Sequence, residues 1–101
     1  MKLTNNQIYA INSVLMEIFN EKLKGSFKFK LFKTKAELER AIEIIQKALE
    51  GVTDEEEVAE IAGETQDLNI DLLTEEELEP LPLSMAQLVI LQDIIEQKGE
   101  E

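Results

Sequence analysis

Apolar residues recur at Ile8, Ile11, Val14, Leu15, Ile18 and Phe19, in the steps of three and four that place side chains on one helical stripe. The spacing predicts a helix from Thr4 to about Glu21. Thr4 and Gln7 have the form of a capping box, in which the hydroxyl accepts an early backbone N–H and the amide side chain reaches back. Such a cap is worth about 1 kcal/mol. The segment from Lys22 to Gly25 reads as a turn, because glycine lacks the Cβ that penalises a left-handed backbone.

Beyond the turn, Phe27, Leu31, Thr34, Leu38, Ala41, Ile42, Ile45, Ala48 and Leu49 keep the helical period. They predict one long helix from Ser26 to about Glu50 and hence a helical hairpin. The same stretch admits a second reading. Phe27, Phe29 and Leu31 alternate with Lys28 and Lys30 as a short amphipathic strand would, leaving Thr34 and Glu37 to cap a shorter helix.

The remainder divides into shorter pieces. Three hydroxyl residues each precede an acid or amide by three positions, at Thr53/Glu56, Thr74/Glu77 and Ser84/Gln87. These are helix-start signals rather than catalytic hydroxyls. Gly51 and Gly63 bracket a short helix carrying Val58, Ile61 and Ala62. Leu68, Ile70 and Leu72 alternate with Asn69 and Asp71 as a strand, and a lone strand must pair with another segment or with its own copy. Pro80 and Pro82 stiffen a linker. Leu88, Leu91, Ile94 and Ile95 define a closing helix before Lys98 and Gly99. The expected fold is mainly α, a single domain over residues 1–101: a helical hairpin, short C-terminal helices and one short strand, completed by a symmetric partner as a homo-oligomer.

Charge changes this picture. The formal charge is −12, yet seven of the ten basic residues lie between Lys22 and Arg40, while Glu50 to Glu101 holds seventeen acids and one base, Lys98. An acidic half repels a polyanion, so direct duplex DNA binding is not expected, whereas the cationic segment suits a small anion. With no cysteine and no histidine, thiolate metal sites, the usual serine triad and the commonest general base are excluded. No phosphate-loop, dinucleotide or nucleophile-elbow pattern occurs. The acidic clusters lack the spacing of a calcium loop, and acids in a first helical turn already complement the helix dipole. No enzyme activity, cofactor or metal is expected. Neither a membrane span nor a leader is read from the sequence, so the chain is expected to be cytoplasmic.

The interleaving of lysine and phenylalanine is the main chemical signal. Cations flanked by aromatic rings can hold phosphates and stack a base. The candidate ligand-binding residues are Tyr9, Lys24, Phe27, Lys28, Phe29, Lys30, Lys33, Lys35 and Arg40: the cations for phosphate, and Phe27, Phe29 or Tyr9 for the base. The competing reading puts Phe27, Leu31 and Phe32 in the core and leaves the lysines solvated or facing acids of this chain.

KLTNNQI at the start, KLKGSFKFKLFKTKAELE leading into an acidic helix, and LNIDLL followed by LPLSMAQLVILQDIIE resemble a family of small phage and prophage proteins of unknown function from Gram-positive bacteria. Gly25 stands where proline is expected, and the middle region is short. The resemblance implies a phage context within a host cell and transfers no chemistry. In that context the leading expectation is an antagonist of antiviral defence, a sponge that sequesters a nucleotide immune signal at an oligomer interface. The alternatives have a host or phage protein as partner: a structural or assembly factor docking through the hairpin, or an acidic DNA mimic using the carboxylates of Asp54 to Glu79.

Overall fold

A computed structural model of the chain describes residues 1–23 and 25–96. The fold is mainly α, with five α-helices and a two-stranded antiparallel sheet among the described residues. The elements run β1 (Lys2–Thr4), α1 (Asn5–Ile18), α2 (Gly25–Leu49), α3 (Glu55–Gly63), β2 (Thr65–Asp67), α4 (Glu75–Leu78) and α5 (Met85–Leu91), followed by a 3-10 turn over Gln92–Ile94.

The expected hairpin is present. Thr4 caps α1 with the reciprocal box: its hydroxyl accepts the Gln7 N–H at 3.1 Å, and Gln7 Oε1 accepts the Thr4 N–H at 2.7 Å. The backbone reverses into α2 at Gly25, whose φ of +64° is costly for any residue with a Cβ. Helix α2 then runs unbroken for 25 residues, so residues 26–33 are helix and not strand. Thr34 caps nothing; it lies inside α2, where its hydroxyl donates to the Lys30 carbonyl at 3.0 Å. The helical form wins because Phe27, Leu31, Leu38, Ala41 and Ile45 then share one face against Ile8, Ile11, Val14, Leu15 and Ile18 of α1 in a single core.

Two expectations in the second half need correction. Asp54, not Thr53, caps α3, its carboxylate accepting the Glu56 N–H at 3.2 Å. The strand is not at Leu68–Leu72 but just before it, at Thr65–Asp67. There it pairs with β1 of the same chain, with Lys2 opposite Asp67 and Thr4 opposite Thr65. Leu68 and Leu73 are buried as singletons of an irregular segment while Leu72 is exposed, so the alternation of Leu68, Ile70 and Leu72 does not form one buried face. The backbone groups of β2 are thus met within the chain, and a symmetric partner is not needed to complete a lone strand.

The boxes at Thr74/Glu77 and Ser84/Gln87 both form. The closing helix is shorter than its apolar period suggests. It tightens into the 3-10 turn, after which Ile95 bridges to Leu73. Lys98 and Gly99 lie outside the described residues. No described helix is long and apolar enough to cross a membrane.

Candidate functional site

Helix α2 displays two chemically distinct faces. At 100° per residue, Phe27, Leu31, Leu38 and Ala41 point one way. Phe29, Lys33, Ala36 and Arg40 point the other, with Phe32 at the edge of that outer face. The positions alternate so closely in sequence that neighbouring phenylalanines part company. Phe27 is 9% exposed, whereas Phe29 and Phe32 are 64% and 63% exposed.

The outer face borders an open depression of about 510 Å3, lined by Lys30, Phe32, Lys33, Glu37 and Arg40 of α2 and by Asn69–Asp71 of the segment after β2. Its floor is fixed by one carboxylate. Arg40 donates to both oxygens of Glu37, Nε to Oε1 at 3.0 Å and Nη2 to Oε2 at 2.8 Å, and the Asn69 backbone N–H donates to Oε2 at 2.9 Å. The Arg40 hydrogen bonds, followed by that from Asn69, lower the Glu37 pKa to about 2. Glu37 is therefore a permanent anion that pins the loop to the helix.

Lys30 is also engaged, with its Nζ 3.0 Å from Glu77 Oε1, which accepts the Thr74 N–H at 2.9 Å. Burial pushes the Glu77 pKa up, but the Thr74 and Lys30 contacts outweigh it and the net shift is downward. Lys33 has no ion pair among the described residues and is fully available. Three cations line the depression against Glu37 and Asp71, and Glu77 balances Lys30, so Lys33 is the lining cation with no ion-pair partner among the described residues.

The remaining candidates are scattered. Phe27 belongs to the core; what it still exposes lines a separate hollow with Lys22, Leu23, Glu76 and Pro80, not the depression. Lys35 is 5% exposed; its ammonium reaches Glu39 at 2.8 Å and lies 5.9 Å from the centre of the Phe19 ring. It is buried against the other helix, and neither Phe27 nor Lys35 lines the depression. Tyr9 lies on α1 and is not among the residues around the depression. Lys28 is exposed and contacts the Phe29 ring at 5.8 Å. Lys24 lies outside the described residues.

Sequence reasoning missed Phe32, which it named only in the competing reading, as a core residue, and Asn69–Asp71, which it read as strand. The signal for Phe32 was its angle: three residues from Phe29 and nearly opposite the core stripe. No group of His, Cys, Asp or Glu suited to a metal ion occurs among the described residues. No family model, curated protein or solved structure matches the chain.

Proposed function

We propose that the protein is a non-enzymatic binding protein that takes a small phosphate-bearing ligand of the nucleotide class in the Lys30–Lys33–Arg40 depression. The observation that carries this reading is the convergence of those three cations, with the exposed Phe32 ring, on one cavity of small-molecule size. Lys33 supplies the unengaged charge. Arg40 turns from Glu37 to a phosphate as a bidentate donor, and Phe32, with Phe29 beyond it, offers a face to a base. The formal charge of −12 disfavours long polyanions at the same place.

In the phage context suggested by the resemblance of KLTNNQI and LPLSMAQLVILQDIIE, such a protein acts as a sponge that withdraws a nucleotide signal from host defence. The test is a panel of cyclic and linear nucleotides, read by thermal shift and by recovery of intact ligand after heat denaturation. A ligand bound only by the folded state at a hundred times its Kd raises stability by about 2.7 kcal/mol. Loss of that shift in Lys33→Glu with Arg40→Gln supports the site, and no shift across the panel overturns the reading.

One observation favours a protein partner instead. Phe19, Phe29 and Phe32 are each about half exposed or more, and aromatic residues are enriched at protein interfaces. An assembly factor of the virion, or a protein that engages a host component, would use that face.

A further inference from the structure

The second half of the chain carries an apolar groove in a wholly acidic setting. Leu78, Leu81, Leu83, Leu88 and Ile95 line an open hollow of about 460 Å3, and Glu75 and Glu79 stand on its rim. The two carboxylates are one helical turn apart, an arrangement in which like charges repel, and neither has an ion-pair partner among the described residues. Between Lys47 and Lys98 the chain contains no lysine or arginine. The bordering helix α5 has no charged residue, and Met85 and Val89 on its outer side are 75% and 57% exposed. An apolar hollow of this kind accepts an apolar knob flanked by cations.

The chain has such a ridge elsewhere: Phe29 and Phe32 project from α2 with Lys28 and Lys33 beside them, all exposed. We infer that the groove of one copy receives the Phe29–Phe32 ridge of a second copy, with Lys28 and Lys33 meeting Glu75 and Glu79. The Lys30–Glu77 ion pair ties α4, which bears the groove's acidic rim, to α2, which bears the ridge, so each protomer carries one ridge and one groove. A two-fold axis between them makes both contacts at once, and the assembly closes as a dimer. Burying the exposed parts of four phenyl rings removes on the order of 500 Å2. With the groove walls the total is roughly 1,000 Å2, the lower limit for a specific interface. Charge argues for this pairing over groove-to-groove contact, which would oppose acidic rims and cost affinity. The inference does not rest on the nucleotide reading; the two compete, because the dimer covers Phe32 and Lys33 of the depression.

The test is sedimentation velocity over a concentration series at low and moderate salt. The full chain is expected to dimerise, more weakly as salt rises. Lys28→Glu with Lys33→Glu, and separately Glu75→Lys with Glu79→Lys, each weaken dimerisation more than about tenfold. Mixing the two variants restores a heterodimer, because each ridge then faces a groove of opposite sign. A monomeric wild type overturns the proposal, as does a dimer that survives both reversals or a mixture that stays monomeric. If an added cationic aromatic peptide fills the groove of a monomeric protein, the occupant is a foreign segment and not a second copy. The Glu75→Lys, Glu79→Lys variant leaves the Lys30–Arg40 depression intact, so failure of the dimer and failure of nucleotide binding are read separately.

Discussion

The inner and outer faces of α2 are drawn from the same residue types. The inner face buries Phe27, Leu31 and Leu38, and a lysine, Lys35, is buried at its flank; the outer face exposes Phe29, Phe32, Lys28 and Lys33. Composition therefore decides neither fate. The angle around the helix does, because an α-helix lets one apolar arc meet α1 while the opposite arc remains in water. A short helix-forming peptide can hide all its rings in one stripe, so keeping two large rings on the wrong side is a feature of the surface and not a requirement of the fold.

Substitutions along α2 sharpen this contrast. The largest effect is expected at Leu38, which has no exposed surface: Leu38→Ala leaves a cavity between the helices and costs about 2–5 kcal/mol in urea unfolding. Close behind is Lys35→Glu. It places a second carboxylate beside Glu39 in a buried position and should cost about 3 kcal/mol or more. Lys35→Met keeps the apolar stem against Phe19 and stays within about 1 kcal/mol of wild type. If Lys35→Met were as damaging as Lys35→Glu, the ammonium itself would be holding the helices together.

Glu37 sits between the two faces and has a pH signature. Its folded pKa lies near 2, below the ordinary 4.5. Its stabilisation is complete above pH 4.5 and is lost as the pH falls towards 2. Urea midpoints measured through that window should fall less steeply for Glu37→Gln than for wild type. The smallest effect belongs to the outer rings. Phe29→Ala and Phe32→Ala should each change stability by less than about 0.5 kcal/mol, measured at a concentration where the protein is monomeric. A loss above about 2 kcal/mol would mean that the rings belong to the fold after all.

The hairpin was legible in the sequence because long amphipathic helices repeat their signal: Ile8 to Ile18 and Phe27 to Ile45 each present several turns in phase. Capping was legible at Thr4, Thr74 and Ser84, where the chemistry is local. It failed at Thr53, where the neighbouring Asp54 offers a competing oxygen and takes the role. The sheet was not legible, since three residues such as Thr65–Asp67 carry no periodicity, and their partner is some sixty residues away. The candidate site was read in outline only. The charge cluster pointed to α2, where the helix itself sets the spacing of Lys30, Lys33 and Arg40, but the wall that makes a depression beside them depends on where Asn69 and Asp71 come to rest. That position is set by the Asn69 N–H bond to Glu37, a long-range contact with no mark in the local sequence.

The pairing of β1 with β2 also orders events in time. Helices α1 and α2 are joined by a short turn and make contacts that are local on the scale of the chain, so they can meet early. Closing the loop from Leu3 to Gln66 must wait until most of the chain is available and carries a larger entropy cost. Leu3 and Leu68, at or near the two ends of that loop, belong to the core, so their part of it is expected to close with this pairing. A chain halted before Thr65 would thus hold two helices with one end of their apolar seam uncovered, a species prone to stick to others of its kind.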